Sequence, residues 1–90
     1  MTLQDTIYNW LSIKRVAEER PNDVSAQDTY QFFEEILVKD HGIEELNVQE
    51  DEHLYHVYYV KGKKQGHYQF PTELVDALLQ SIESEPKYNQ

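Results

Sequence analysis

The chain has 90 residues, enough for one domain with one hydrophobic core. It contains no cysteine, which excludes disulfide scaffolds, thiol nucleophiles and zinc sites built on cysteine. Seventeen acidic residues against eight lysines and arginines give a formal net charge of −9, and a field of that sign repels phosphate backbones and anionic membranes. No segment has the roughly 18 apolar residues that a membrane span requires, so we expect a soluble, cytoplasmic protein.

The N-terminal residues predict an amphipathic helix from Leu3 to Glu19. Thr2 is a suitable N-cap, with Asp5 three residues later. The apolar side chains spread over more than half of the helix circumference, whereas a helix with one buried face needs a stripe of about 100°. Two explanations remain open. The domain itself buries both flanks of the helix, which we favour, or the extra flank, with Trp10 and Ile13, contacts a second chain.

Two further helices are predicted, one on each side of a strand region. Ser25 is a candidate N-cap for the second helix, and Gly42 can adopt the left-handed conformation that ends it. The third helix begins at Pro71 or Thr72. Its apolar residues form a narrow stripe that we expect to be core on one face of the sheet: Leu74, Val75, Leu78, Leu79 and Ile82.

The stretch from Leu46 to Phe70 alternates in the period of two that is typical of strands, and it predicts a three-stranded antiparallel meander. One face of this sheet is predicted to be core: Leu46, Val48, Tyr55, Val57, Tyr59, Tyr68 and Phe70. The opposite face mixes polar and apolar side chains, and we call it the outer face: Asn47, Gln49, Leu54, His56, Tyr58, Val60, His67 and Gln69. We expect the outer face to contact water or a partner.

The strand register depends on the two turns. We predict two-residue turns at Asp51-Glu52 and at Lys63-Lys64. The pairs that follow are Val48 with Tyr55, Leu46 with Val57, Tyr59 with Tyr68, and Val57 with Phe70. A lysine pair is a poor sequence for a type I′ turn, so a longer loop supported by Gly62 and Gly66 also remains open.

These elements predict an α+β fold in the order α-α-β-β-β-α, with the helices packed mainly on one face of the sheet. We assign residues 1–84 to a single domain. The six residues 85–90 have no periodicity and are predicted to form a flexible tail.

The histidines do not predict a metal site. His53 and His56 should point to opposite faces of one strand and cannot chelate one ion together. His56 and His67 share the outer face, but the predicted register offsets them along the sheet and places no carboxylate beside them. We therefore expect neither a metal nor a cofactor, and no small-molecule ligand is identifiable.

Lys61, Lys63 and Lys64 form a basic cluster at the second hairpin tip. The element order from Ser25 to Ser84, α-β-β-β-α, resembles that of double-stranded-RNA-binding domains, which hold phosphates with lysines at the start of their last helix. Here that position is acidic, with Glu73 beside Thr72, so the topology alone is shared. Nucleic-acid binding by the three lysines is the alternative hypothesis.

The leading hypothesis is a small acidic interaction or regulatory module without catalytic activity, which forms a homodimer. No nucleophile and base are paired in the sequence, and a pocket beside Trp10 is the one place left open for a ligand. The residues that we expect at the interface combine apolar area with polar tips: Leu54, His56, Tyr58, Val60, Trp10 and Ile13.

Overall fold

A computed structural model describes residues 1–84 of the chain, so the predicted flexible tail at residues 85–90 lies outside the described residues. Three α-helices and a three-stranded antiparallel sheet follow each other in the order α-α-β-β-β-α, which confirms the predicted α+β fold. Within residues 1–84, no helix combines the length and the apolar character needed to cross a membrane.

The helices are α1 (Leu3–Glu19), α2 (Val24–Glu35), which continues into a π-helical turn (Ile36–Asp40), and α3 (Thr72–Ser84). The strands are β1 (Ile43–Glu50), β2 (Leu54–Lys61) and β3 (Lys64–Pro71). The central strand is β2, which pairs with β1 on one side and β3 on the other. Both β1 and β3 are therefore edge strands.

The first two helices differ in how well their caps were predicted. The Asp5 backbone N–H donates to Thr2 Oγ1 at 3.1 Å, which confirms Thr2 as the N-cap of α1. The predicted cap of α2 at Ser25 is wrong, because Asp23 accepts from the Ala26 backbone N–H at 3.1 Å. Asp23 has the extended backbone that an N-cap needs, whereas Ser25 already lies in the first helical turn.

The wide apolar arc of α1 is buried because this helix has partners on three sides. On one flank it meets α2, where the Trp10 and Tyr30 ring centroids lie 6.1 Å apart. On the other flank it meets α3, where the Tyr8 hydroxyl donates to the Leu74 carbonyl at 3.0 Å. Its third side faces the main core: Ile7, Trp10, Leu11, Leu37, Ile43, Tyr55, Val57, Phe70 and Val75. Burial within the domain thus accounts for the arc.

The second helical segment ends at the predicted glycine. In its last turn the His41 backbone N–H donates to the Ile36 carbonyl at 3.2 Å, which is five residues back instead of the four of an α-helix. Gly42 then adopts a φ of +69°, the left-handed conformation that glycine reaches without a steric cost. The chain turns there and enters β1.

Both hairpins pair two residues away from the predicted register. Val48 pairs with Val57 rather than with Tyr55, and Tyr55 pairs with Phe70. A shift of two residues leaves every side chain on its predicted face, because the side-chain period of a strand is two. The core face therefore holds the buried Tyr55, Val57 and Phe70, as predicted.

Local chemistry at the turns explains the shifted register. At the first turn the Asp51 carboxylate accepts the backbone N–H groups of His53 and Leu54 at 2.9 and 2.8 Å, which centres the turn one residue later than predicted. At the second turn Lys61 pairs with Lys64, and Gly62 supplies a φ of +63° between them. A positive φ at the first central residue is the requirement of a type II′ turn, which Lys63 could not meet at that position.

The apolar stripe of α3 is only partly core. Val75 and Leu79 are buried, but Leu74 and Leu78 are 56% and 41% exposed. The prediction is wrong for these two leucines because α3 packs mainly against α1 and meets the sheet chiefly at β3. The helix therefore turns a narrower face inward than a helix lying flat on the sheet would.

Candidate protein interface on the outer face of the sheet

The outer face carries little formal charge. Strand pairing adds Glu45, Gln65 and Pro71 to the residues predicted there, which gives eleven positions: Glu45, Asn47, Gln49, Leu54, His56, Tyr58, Val60, Gln65, His67, Gln69 and Pro71. Among these eleven, Glu45 alone is acidic and none is a lysine or arginine, and Asp51 in the first turn adds a second carboxylate beside His56, whereas 17 acidic and 8 basic residues occur in the 90-residue chain. Depletion of charge is a compositional mark of the centre of protein interfaces.

Three aromatic rings form a row across β2 and β3 on this face. The rings of Tyr58 and His67 stack with centroids 4.4 Å apart and planes inclined by 6°. The ring of His67 in turn lies 5.4 Å from that of His56, with planes inclined by 15°. Tyr58 is 42% exposed, so the row presents a flat aromatic surface to the outside.

A chain of polar contacts connects the first turn to this row. Asp51 Oδ2 lies 2.8 Å from His56 Nε2, and His56 Nδ1 lies 3.3 Å from His67 Nε2. The pKa of Asp51 is lowered to about 2 by the hydrogen bond from His56 and by the backbone N–H groups of His53 and Leu54. Asp51 is therefore an ionised acceptor near neutral pH, and His56 Nε2 is the donor.

The structure changes two premises about the histidines. The observed register places His67 opposite Tyr58 and reduces its offset from His56 to two residues, so the two histidines are diagonal neighbours whose rings are in contact. Asp51 supplies the carboxylate that no residue was expected to supply, because its turn brings it back over β2. Residues 1–84 nevertheless contain no group of three or more histidine, aspartate or glutamate side chains that could hold a metal ion.

The residues predicted for the interface do not all meet on one surface. Leu54, His56, Tyr58 and Val60 lie on the outer face along β2. Trp10 and Ile13 are only 4% and 8% exposed: Trp10 packs in the main core beneath the other face of the sheet, and Ile13 packs in a second core between the helices. The candidate surface is therefore made by the strands alone. A shallow depression of about 500 Å³ lies at one end of it, where its lining includes Val60 and His67.

The lysine tip does not extend the outer face. Lys61 and Lys64 form a cross-strand pair two residues from Tyr59, so they lie on the side of the sheet that carries the helices. Lys63 occupies the turn, and all three lysines are exposed. Nucleic-acid binding by this tip stays a prediction, to be tested by retention of duplex RNA at low salt and its release as salt rises.

We compared the chain with models of protein families, with curated protein sequences and with solved structures, and none of the three comparisons found a match. The fold class is an α+β domain with helices on one side of an antiparallel sheet. Its distinguishing surface is the outer face, where low charge, exposed aromatic area and the linked side chains of Asp51, His56 and His67 occur together.

Proposed function

We propose that the protein is an interaction module that forms a homodimer through the outer face of its sheet. The observation that carries this proposal is the low charge of that face in a chain with a net charge of −9. Two such chains repel each other, and they meet at the lowest electrostatic cost where few charges face each other. The asparagine, glutamine and tyrosine side chains there can both donate and accept hydrogen bonds, which suits a two-fold contact between identical surfaces.

The size of the face sets the strength that we expect. Three strands about 4.8 Å apart, each with eight residues of about 3.3 Å rise, make a patch of roughly 14 Å by 26 Å, on the order of 400 Å². A standard specific interface buries about 800 Å² on each partner. The sheet-to-sheet contact alone should therefore be weak and reversible, as suits a regulated association.

Sedimentation velocity in the presence of EDTA tests the proposal. Between about 10 µM and about 1 mM chain, we expect the mass to rise above the monomer value of 10.7 kDa. Tyr58→Glu should keep the chain monomeric, because it places a charge at the centre of the contact. The matched control is Phe32→Glu on α2, which changes a side chain that is 58% exposed on another element. Monomeric mass throughout, or dissociation by Phe32→Glu alone, would overturn the proposal.

We also propose that this association takes place in the cytoplasm. The chain has no cysteine, so its fold contains no disulfide bond that a reducing compartment would break. Fractionation of cells that express the chain with an epitope tag tests this location, and recovery of the chain outside the cytoplasmic fraction would contradict it.

A further inference from the structure

The close approach of two histidine nitrogens is a feature of the outer face that a simple sheet contact does not use. His56 Nδ1 and His67 Nε2 lie 3.3 Å apart, at the long end of hydrogen-bond distances. Two nitrogens bound to one tetrahedral zinc ion, each at about 2.0 to 2.1 Å, lie about 3.3 to 3.4 Å from each other. The observed spacing therefore matches one edge of a tetrahedral site.

Asp51 prepares His56 for such a site. Histidine ligands of metals usually donate their other ring N–H to a carboxylate, which sets the tautomer and the ring orientation. Here His56 Nε2 donates to Asp51 Oδ2 at 2.8 Å, so the lone pair is at Nδ1, the atom that lies next to His67. Asp51 is itself held by two backbone N–H groups, which makes it a rigid support.

Stacking holds the second ring in place. His67 is packed against Tyr58 at 4.4 Å and is nearly parallel to His56 at 5.4 Å. Both histidines are on neighbouring strands of a sheet rather than on a loop. Two rings that are already restrained lose little freedom when they bind an ion.

One copy of the chain offers an incomplete site. It supplies two nitrogen donors, and the described part of the chain has no third histidine or carboxylate placed to join them. A structural zinc ion takes four protein ligands, and a two-fold contact through the outer face brings a second pair of the same nitrogens to the first pair. The positive ion also offsets part of the repulsion between two chains of charge −9.

We propose that two copies of the chain share one zinc ion at their outer faces, with His56 Nδ1 and His67 Nε2 of each copy as its four ligands. This inference rests on the proposed homodimer and adds to it the ion that makes a weak contact tight. Asp51 is a positioning residue, because it contacts His56 and not the ion. Four imidazole nitrogens in a tetrahedron favour zinc over calcium or magnesium, which prefer oxygen.

Titration calorimetry and sedimentation with zinc chloride test the shared site. We expect one zinc ion per two chains and a dimer dissociation constant at least about 100-fold lower than in EDTA. Cobalt(II) in place of zinc should give the visible absorption of a tetrahedral ion. His56→Ala and His67→Ala should each abolish the effect of zinc. His53→Ala is the matched control, since His53 lies in the adjacent turn with a side chain that is 86% exposed.

Asp51→Asn separates positioning from ligation. It should weaken zinc binding about 10- to 100-fold while the tetrahedral cobalt spectrum is kept at saturating metal. Circular dichroism shows whether each variant is folded, and His67→Gln replaces His67→Ala if the latter is not. Loss of the tetrahedral spectrum in Asp51→Asn would overturn the assignment of Asp51 to a supporting role.

The outcomes distinguish this inference from the homodimer itself. Self-association in EDTA that zinc does not strengthen would overturn the zinc site and leave the homodimer in place. Zinc bound with one ion per monomer, or zinc binding that survives loss of both His56 and His67, would also overturn it. Monomers in EDTA that dimerise only in zinc, through His56 and His67, would overturn the metal-free homodimer and support the shared site. Monomers in EDTA and in zinc alike would overturn both proposals.

Discussion

The ring of Tyr59 lies across Gly66 of the neighbouring strand, in the space that a side chain at position 66 would fill. The two residues form a cross-strand pair between β2 and β3. The same ring stacks on Tyr68, with centroids 5.6 Å apart and planes inclined by 15°. The φ of Gly66 is not in the left-handed region, so this glycine serves the packing of Tyr59 rather than a special backbone conformation.

Gly66→Ala should therefore destabilise the fold by about 1 kcal/mol, because the new Cβ displaces the Tyr59 ring from Tyr68. Urea denaturation measures the loss. In a Tyr59→Ala background the same substitution should be neutral or stabilising, since alanine suits a strand better than glycine. Equal effects of Gly66→Ala in the two backgrounds would show that the ring and the glycine are not coupled.

Tyr55→Phe tests a bond that connects the sheet to α3. The Tyr55 hydroxyl donates to Asp76 Oδ1 at 3.0 Å, and burial together with this hydrogen bond raises the pKa of Tyr55, so the phenol remains a donor at neutral pH. Arg15 Nε lies 3.5 Å from the same oxygen and still neutralises the carboxylate when the hydroxyl is removed. We expect a loss of about 1 kcal/mol in the free energy of unfolding.

The control for this bond is Tyr30→Phe, which removes a hydroxyl that forms no hydrogen bond within residues 1–84. Thermal and urea unfolding should distinguish the two variants clearly. If Tyr30→Phe costs as much as Tyr55→Phe, the hydrogen bond to Asp76 does not stabilise the fold.

Two leucines of α3 provide a matched test of burial. Leu79 is 7% exposed and packs against Ile13 and Val16, whereas Leu74 is 56% exposed. Leu79→Ala should cost about 2 to 4 kcal/mol through lost apolar burial and a cavity, and Leu74→Ala less than about 0.5 kcal/mol. Both are measured by urea denaturation at low chain concentration. A large effect of Leu74→Ala would mean that another surface covers this leucine.

Asp23 makes part of the stability depend on pH. The hydrogen bond from the Ala26 backbone N–H, supported by Arg20, lowers the pKa of Asp23 below its ordinary value of 3.8. A carboxylate whose folded pKa is below its unfolded value stabilises fully above the unfolded pKa, and the contribution is lost as pH falls through the folded pKa. The stabilising effect of Asp23 should therefore be complete near neutral pH and decline below about pH 4.

Asp23→Ala and Asp23→Asn separate the cap from the charge. Near neutral pH, Asp23→Ala should lower the Tm more than Asp23→Asn, because asparagine keeps a capping oxygen. The difference in Tm between the native chain and Asp23→Asn should shrink as the pH falls from about 7 to about 3. A difference in Tm that does not change over this range would show that the carboxylate charge is not involved.

The faces of the sheet could be predicted from the sequence because they depend on side-chain alternation, which a shift of two residues does not change. The pairing itself could not, because it depends on the Asp51 carboxylate and on the positive φ of Gly62, and each of these moved a turn by one residue. A shift of one residue in each turn changed the pairing by two. Because the predicted register was shifted, the proximity of His56 and His67 was not predicted either.

Leu74 and Leu78 of α3 show a second limit on what the sequence can predict. The periodicity of α3 identifies which side chains share a side of the helix, but it does not say how much of that side a neighbour covers. In the structure α1 provides most of the contact with α3, and Leu74 and Leu78 remain outside it. Asp23 as a cap was accessible from the sequence, since an aspartate directly before a helical pattern is a common N-cap.

The central position of α1 has a consequence for synthesis on the ribosome. This helix precedes the strands in the chain, yet Ile7 and Leu11 are buried against a core that includes Val57 and Phe70. While the strands are still being translated, the apolar arc of α1 has no sheet to cover it. Contacts this distant in sequence slow folding. The apolar arc of α1 should therefore stay exposed on the growing chain until β3 has emerged.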